Sequence, residues 1–249
     1  NHTANQRERS MAKLKDVIEE LVTANRILAN LGIVDSFGHV SVRHPDNKNR
    51  YFISRARAPE RIEASDINEY TLEGEPIDKK KAAKYAPYTE RHIHGAIYEM
   101  RPDVMSVVHN HSPSTIPFGI TNNKLKPLLH MCASIGHDVP LWDSHDKFGD
   151  TALLVNSMAM GRDLAKRLGK GRTSLMRGHG AVVAGFSIRH AVFVSNYLEL
   201  NAKLQMQAMQ MGKIKFLYKG EVDAVIARTS DYTLNRAWEN WARAAGRKP

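Results

Sequence analysis

Two histidines one residue apart stand at the centre of the segment Val107-Val108-His109-Asn110-His111-Ser112-Pro113. In an extended strand, residues i and i+2 point to the same face. His109 and His111 therefore present two imidazoles side by side, an arrangement that suits a divalent metal. Pro113 ends the strand, because proline cannot continue a hydrogen-bonded ladder. Two further residues extend the set. Glu90 lies upstream in Thr89-Glu90-Arg91-His92, and His179 lies downstream in Arg177-Gly178-His179-Gly180. One carboxylate and three imidazoles form a ligand set for zinc, manganese, iron or cobalt that leaves room for a substrate. The plainer readings are that the His-x-His pair is buried and satisfied by backbone, and that Glu90 only favours a helix N-terminus. The glycines beside His179 invite a close backbone approach, which speaks against a simple core histidine.

Other residues could assist. His39 sits in the turn-and-strand segment Ser36-Phe37-Gly38-His39-Val40-Ser41-Val42-Arg43. A histidine titrating near neutrality and a positioned carboxylate are the usual general acids and bases, which makes His39 and Glu90 the catalytic candidates. Arg55 and Arg57 follow a strand and suit a bidentate grip on a carboxylate. With Ser36 they are the substrate-binding candidates. Surface or subunit-interface salt bridges are the alternative use of the two arginines.

These residues need elements to position them. Met11, Leu14, Val17, Ile18, Leu21, Val22, Ile27, Leu28 and Leu31 recur in steps that predict an amphipathic helix stopped at Gly32. Val40 and Val42 alternate against Ser41 and Arg43, which predicts a strand, and residues 50–54 predict the next. Residues 88–100 read as a helix with Glu90 in its first turn and His94 four residues on, along one face. His94 reads as a packed or supporting residue. The strand 104–111 follows. Residues 159–168 predict a helix capped at Gly169, residues 181–185 a strand, and residues 187–211 a long helix. An amphipathic tail carries Trp238 and Trp241. Strands and helices mix without the regular alternation of a doubly wound sheet, so the pattern alone gives an α/β or α+β class. No Gly-x-Gly-x-x-Gly or Walker motif is present.

The 249 residues are enough for one domain with a sizeable core: residues 1–10 as a flexible lead and 11–249 as the domain with a helical tail. Hydrophobic residues at 42% and charged residues at 25% exclude a disordered class. No apolar run approaches the ~20 residues that span a bilayer. The polar N-terminus lacks a signal-peptide pattern, and the single Cys132 excludes an intrachain disulfide, which together suit a reducing cytoplasm. The formal charge is +10, but the basic residues are spread along the chain, and Lys79-Lys80-Lys81 reads as a solvated loop. The expectation is an anionic small substrate drawn by a positive field, without nucleic acid or membrane as partner.

The order Gly38-His39-Val40-Ser41-Val42-Arg43, Glu90 to His94, His109-Asn110-His111-Ser112 and Gly178-His179-Gly180 resembles the class II aldolase/adducin family. The resemblance implies an α/β/α sandwich around a largely antiparallel sheet, and a homotetramer with interfacial active sites. It implies that His109, His111 and His179 bind a divalent metal, and that Glu90 is an acid/base that can also touch it. The sugar-phosphate aldolases of the family carry Gly-Asn where Gly38-His39 stands. Their phosphate-binding Thr-Gly and Ser-Ser pairs are replaced here by Arg55-Ala56-Arg57 and by Ala86-Pro87-Tyr88-Thr89. The chain looks more like a branch that includes decarboxylases of hydroxylated aromatic dicarboxylates and a non-haem iron oxygenase. The implied reaction is metal-dependent decarboxylation of a hydroxylated aromatic carboxylate or dicarboxylate through a metal-stabilised enolate or phenolate, a lyase reaction of aromatic catabolism. The alternatives are an aldolase on a non-phosphorylated substrate, an iron oxygenase, and a non-catalytic adducin-like interaction domain.

Overall fold

The structure, a computed structural model, describes residues 2–249. Its first helix, α1 (His2–Asn30), takes in the polar lead as well as the amphipathic stretch. No glycine or proline between residues 2 and 10 interrupts it. Residue 1 lies outside the described residues.

Among the described residues, seven strands form one sheet: β1 (His39–Arg43), β2 (Arg50–Ser54), β3 (Ile67–Thr71), β4 (Ser106–Asn110), β5 (Leu141–Trp142), β6 (Thr173–Met176) and β7 (Gly180–Gly185). Their order is β3-β2-β1-β4-β7-β6-β5. Every pairing is antiparallel except the short β5–β6 pair. Two helical layers cover it. On one face, Val40, Val42, Val108 and Val183 pack with α1 and with two later helices, Ile188–Met211 and Asp231–Ala244. On the other, Tyr51, Ile53, Val107 and Val182 pack beneath α2 (Arg91–Met100) and α3 (Met158–Leu168). We label the later helices α4 (Ile188–Met211), α5 (Lys219–Arg228) and α6 (Asp231–Ala244). This is the α/β/α sandwich with a largely antiparallel sheet that the sequence resemblance implies.

The strand β1 differs from a half-solvated strand. All five of its residues are buried, including His39, Ser41 and Arg43. Arg43 is satisfied by carbonyls rather than by an ion pair: its guanidinium donates to the backbone oxygens of Val104, Tyr98, Arg101 and Lys48. A polar strand face can lie inside a sandwich when every donor finds an acceptor.

Candidate metal centre and its cavity

The strand register brings the first two histidines together. His39 of β1 lies directly opposite His109 of β4, with ring centroids 5.1 Å apart. His111 follows just past the end of β4, and its ring meets His109 edge-on at 5.1 Å. The loop beyond is held by Glu199 of α4, which accepts from the Ser112 hydroxyl and from the Ser114 hydroxyl at 2.5 Å and backbone N–H at 3.0 Å.

His179 sits in the tight turn between β6 and β7, and its ring centroid is 4.8 Å from that of His109. Both flanking glycines are required. Gly178 has φ +62°, a conformation that L side chains rarely adopt. At Gly180 a Cβ would lie 2.0 Å from the Asn110 carbonyl oxygen. The glycines thus let the turn close onto the end of β4. Glu90 caps α2 at its N-terminus, where its Oε1 accepts from the Val155 backbone N–H at 2.9 Å rather than from its own helix. Its Oε2 is 3.3 Å from His109 Nε2 and 3.5 Å from His179 Nε2.

The ligating atoms of His109, His111 and His179 all lie within 4.8 Å of one another. Two of these rings are oriented from behind. His109 Nδ1 meets the Ala181 carbonyl at 3.1 Å, and His111 Nδ1 meets Asp35 Oδ2 at 2.8 Å. Each such contact consumes an Nδ1–H and leaves a bare lone pair on Nε2. The Nε2 atoms of His109 and His111 are buried and have no hydrogen-bond partner among the described residues. Buried unsatisfied acceptors are costly, and a divalent cation satisfies them with the nitrogen chemistry it prefers. The residues fit such an ion.

Glu90 and the imidazoles beside it tune one another. Burial alone would raise Glu90, but His109 and His179 beside it outweigh burial and hold it well below the usual carboxylate range. Burial lowers His179, yet Glu90 more than compensates and holds that ring above its ordinary value. Burial pushes His109 down, towards the neutral form that can ligate, against the pull of Glu90.

A cavity of about 620 Å³ opens beside these groups. Ser36, His39, Arg57, Glu90, His111 and His179 line it, so most of the expected site residues converge there. Arg55 does not. Its Nε pairs with Asp66 Oδ1 at 2.6 Å, and its guanidinium lies 4.1 Å over the Tyr85 ring. Arg57 lines the cavity while donating to Asp66 Oδ2 at 2.9 Å. Asp66 therefore neutralises part of the expected double-arginine grip. The walls are apolar: Phe37, Pro87, Tyr88 and Leu154. The Tyr88 hydroxyl donates to the Arg57 carbonyl and fixes that loop.

Sequence reasoning missed Asp35, Asp66 and Glu199, which are separated from their partners by up to 87 residues. The Asp35-Ser36-Phe37-Gly38 stretch carried one usable signal, an aspartate able to accept from backbone two and three residues on. It does so, with Phe37 at 2.8 Å and Gly38 at 3.1 Å. His94, read as a supporting residue, is fully buried behind His39.

Comparison with known proteins bears on the family and the fold. The model of the Class II Aldolase and Adducin N-terminal domain matches residues 19–206. The decarboxylase tropJ of Talaromyces stipitatus is 31% identical over 250 aligned positions, covering 91% of this chain and 92% of that one. The 3,4-dihydroxyphthalate decarboxylase of Arthrobacter keyseri is 26% identical, covering 78% and 79%. Among solved structures, an L-fuculose 1-phosphate aldolase from Glaciozyma antarctica superposes with a TM-score of 0.75 at 23% identity, covering 95% of this chain and 90% of that one. At that identity the superposition speaks for the fold.

Proposed function

The chain belongs to the class II aldolase/adducin family, and from that premise we propose that it is a divalent-metal-dependent decarboxylase of a hydroxylated aromatic carboxylate or dicarboxylate. The observation that carries this reading is the pair of buried, unpartnered Nε2 atoms on His109 and His111, placed beside Glu90 at an apolar cavity. His109, His111 and His179 would hold the ion, with Glu90 within reach of it. When bound, a divalent cation supplies Lewis-acid stabilisation of negative charge on a substrate oxygen.

The protein's own groups do the rest. Phe37, Tyr88 and Leu154 offer flat or aliphatic walls for a ring and exclude water from it. Arg57 keeps donors beyond the one spent on Asp66, and these suit a second carboxylate on the ring, with the Ser36 hydroxyl nearby. Glu90 is held ionised and therefore begins as the base. Its Oε2 takes the proton of the substrate hydroxyl and delivers it to the ring carbon that bears the departing carboxylate. Cleavage of that carbon–carbon bond releases CO2, and the bonding pair returns through the ring to the oxygen as a phenolate. Reprotonation from solvent completes the turnover.

The relatives named decarboxylases support this reading, as does the absence of the phosphate-binding sequence pairs. The family premise extends the proposal to a homotetramer with interfacial active sites, and the single cysteine extends it to the cytoplasm. No helix among the described residues is long and apolar enough to cross a membrane. The test is anaerobic CO2 release from protein reconstituted with Mn(II), Fe(II), Co(II) or Zn(II), offered a panel of ortho-hydroxy aromatic mono- and dicarboxylates. Release that a chelator abolishes is the expected result. Silence across the panel, with aldehyde formation or strict Fe(II)-dependent O2 uptake in its place, overturns the decarboxylase.

A further inference from the structure

His39 stands among the metal-facing groups, and a ring nitrogen of it lies within 4.8 Å of a Glu90 carboxylate oxygen and a His109 ring nitrogen. Spacing alone would make it a fourth ligand or a base. The residues behind it point elsewhere. His39 Nδ1 is 2.6 Å from His94 Nε2, His94 Nδ1 is 2.5 Å from Ser41 Oγ, and Ser41 Oγ is 2.7 Å from the Tyr98 hydroxyl. All four side chains are buried, none more than 1% exposed.

The proton count gives this chain a direction. The Tyr98 hydroxyl has one proton; its oxygen accepts from the Val107 backbone, and Ser41 Oγ is the side-chain partner that can take the proton. Tyr98 therefore donates to Ser41. Ser41 then spends its own proton on His94 Nδ1. His94, neutral and accepting at Nδ1, carries its proton on Nε2 and donates it to His39 Nδ1. His39, accepting at Nδ1, carries its proton on Nε2, the nitrogen left to face the cavity it lines. The reverse polarity would strand the Tyr98 proton in a buried site without an acceptor. His39 Nδ1 and His94 Nε2 are 2.6 Å apart and share one proton, so the two facing nitrogens are not both protonated.

We propose that Tyr98, Ser41 and His94 form a one-way hydrogen-bond chain that locks His39 as its Nε2–H tautomer. His39 is then a neutral hydrogen-bond donor to an anionic substrate oxygen, and neither a metal ligand nor a base. The identity of that oxygen rests on the function proposed above; the tautomer does not. His109 and His111 receive the opposite instruction. Their Nδ1 atoms face a carbonyl and a carboxylate, so their protons sit on Nδ1 and their lone pairs face inward. One cluster thus holds two tautomers, which separates the groups that bind a cation from the one that polarises an anion. A neutral imidazole can act as such an electrophile. Tyr98, Ser41 and His94 are positioning residues.

Solid-state 15N spectra of the zinc-loaded full-length protein, labelled at histidine, separate protonated from bare ring nitrogens. His39→Gln identifies the His39 signals by their loss. The expected wild-type pattern is a protonated Nε2 and a bare Nδ1 on His39. Tyr98→Phe removes the source of direction and should give a mixture of tautomers with zinc content unchanged. His94→Gln should keep the Nε2–H form, since its amide can accept from Ser41 and donate to His39; His94→Leu should not. A His39 proton on Nδ1 in the wild type overturns the proposal, as does a single unchanged tautomer in Tyr98→Phe. With an aromatic substrate in hand, kcat/KM should fall about tenfold in Tyr98→Phe and recover in His94→Gln relative to His94→Leu. Failure to turn over any aromatic acid would count against the decarboxylase and leave the tautomer reading standing.

Discussion

Replacing Asp35 by asparagine should weaken metal binding without removing a single ligand. Asp35 serves two sets of donors at once. Its Oδ2 faces His111 Nδ1 at 2.8 Å, while its Oδ1 accepts from the backbone N–H groups of Phe37 and Gly38. An amide has one acceptor oxygen and one NH2, so an asparagine side chain cannot serve both sets. If the oxygen stays with the backbone, the NH2 opposes the His111 N–H, and the ring must release its Nδ1 proton or rotate. If the oxygen turns to His111, the NH2 opposes two backbone donors and the turn opens. Either way the Nε2 lone pair is no longer pre-aimed. Losing the outer partner of a ligating histidine typically costs 10–100-fold in affinity, or about 1.4–2.7 kcal/mol. Zinc Kd values from chelator competition, read beside far-UV circular dichroism and Tm, measure it. The expected outcome for Asp35→Asn is Kd raised by about 10–100-fold with the fold retained. A Kd within twofold of wild type in a folded variant would refute the orientation argument for His111.

Three further outcomes follow from particular contacts. Gly180→Ala drives a Cβ to 2.0 Å from the Asn110 carbonyl, and backbone cannot yield as a side-chain tip can; it should cost about 3 kcal/mol and lower Tm by roughly 6–12 °C, read by calorimetry. Arg57→Ala should raise KM for a ring dicarboxylate by about 10–100-fold, the scale of a charged hydrogen bond, and leave KM for the matching monocarboxylate much closer to wild type. Arg55→Ala, which acts through Asp66, should have the smaller effect, and equal effects in both variants would remove Arg57 from the binding site. His190 is buried against Phe186, and burial lowers it to about 3. In the unfolded chain it binds a proton below about pH 6.5, while the folded ring stays neutral. The unfolded state then holds more protons, so stability declines as pH falls from about 6.5 towards 3. Urea midpoints at about pH 7, 5.5 and 4.5 should show a shallower decline in His190→Leu than in wild type.

Local patterns made much of the fold legible. The periodic helices at residues 11–31, 159–168 and 187–211 fall within or against α1, α3 and α4, because each signals itself through one apolar stripe and a nearby stop. The helix α2 begins later than expected: Glu90 is its cap and not a residue of its first turn, since its carboxylate is drawn to Val155 and the histidines. The ligand candidates were equally legible as a strand pair and a glycine-flanked turn. The supporting layer was not. Asp35 reaches His111 across 76 positions, and the Glu199 contact to Ser112 spans 87. Such contacts are created by the sheet order, which no local period encodes. The arginine pair was legible only as two cations with two possible uses, and the fold shows that Asp66 lies between them.

Two periodicities account for the polar seam behind the site. A strand presents every second residue to one face, so His39 and Ser41 of β1 point together into the layer beneath α2. A helix presents every fourth, so Glu90, His94 and Tyr98 run down one side of that helix and its cap. Laid against each other, the two ladders meet in alternation: His94 Nε2 at His39, His94 Nδ1 and Tyr98 both at Ser41. The alternation of valine with polar residues in β1 is therefore not the mark of a solvated face. It is the trace of a buried one whose hydroxyl and imidazole groups have partners on a helix about fifty-five residues away in the chain. A hydrophobic residue in place of Ser41 would pack as well and would leave His94 Nδ1 without its donor. Retaining a hydroxyl at the centre of a dry layer is explicable once its task is to carry direction from Tyr98 to His39.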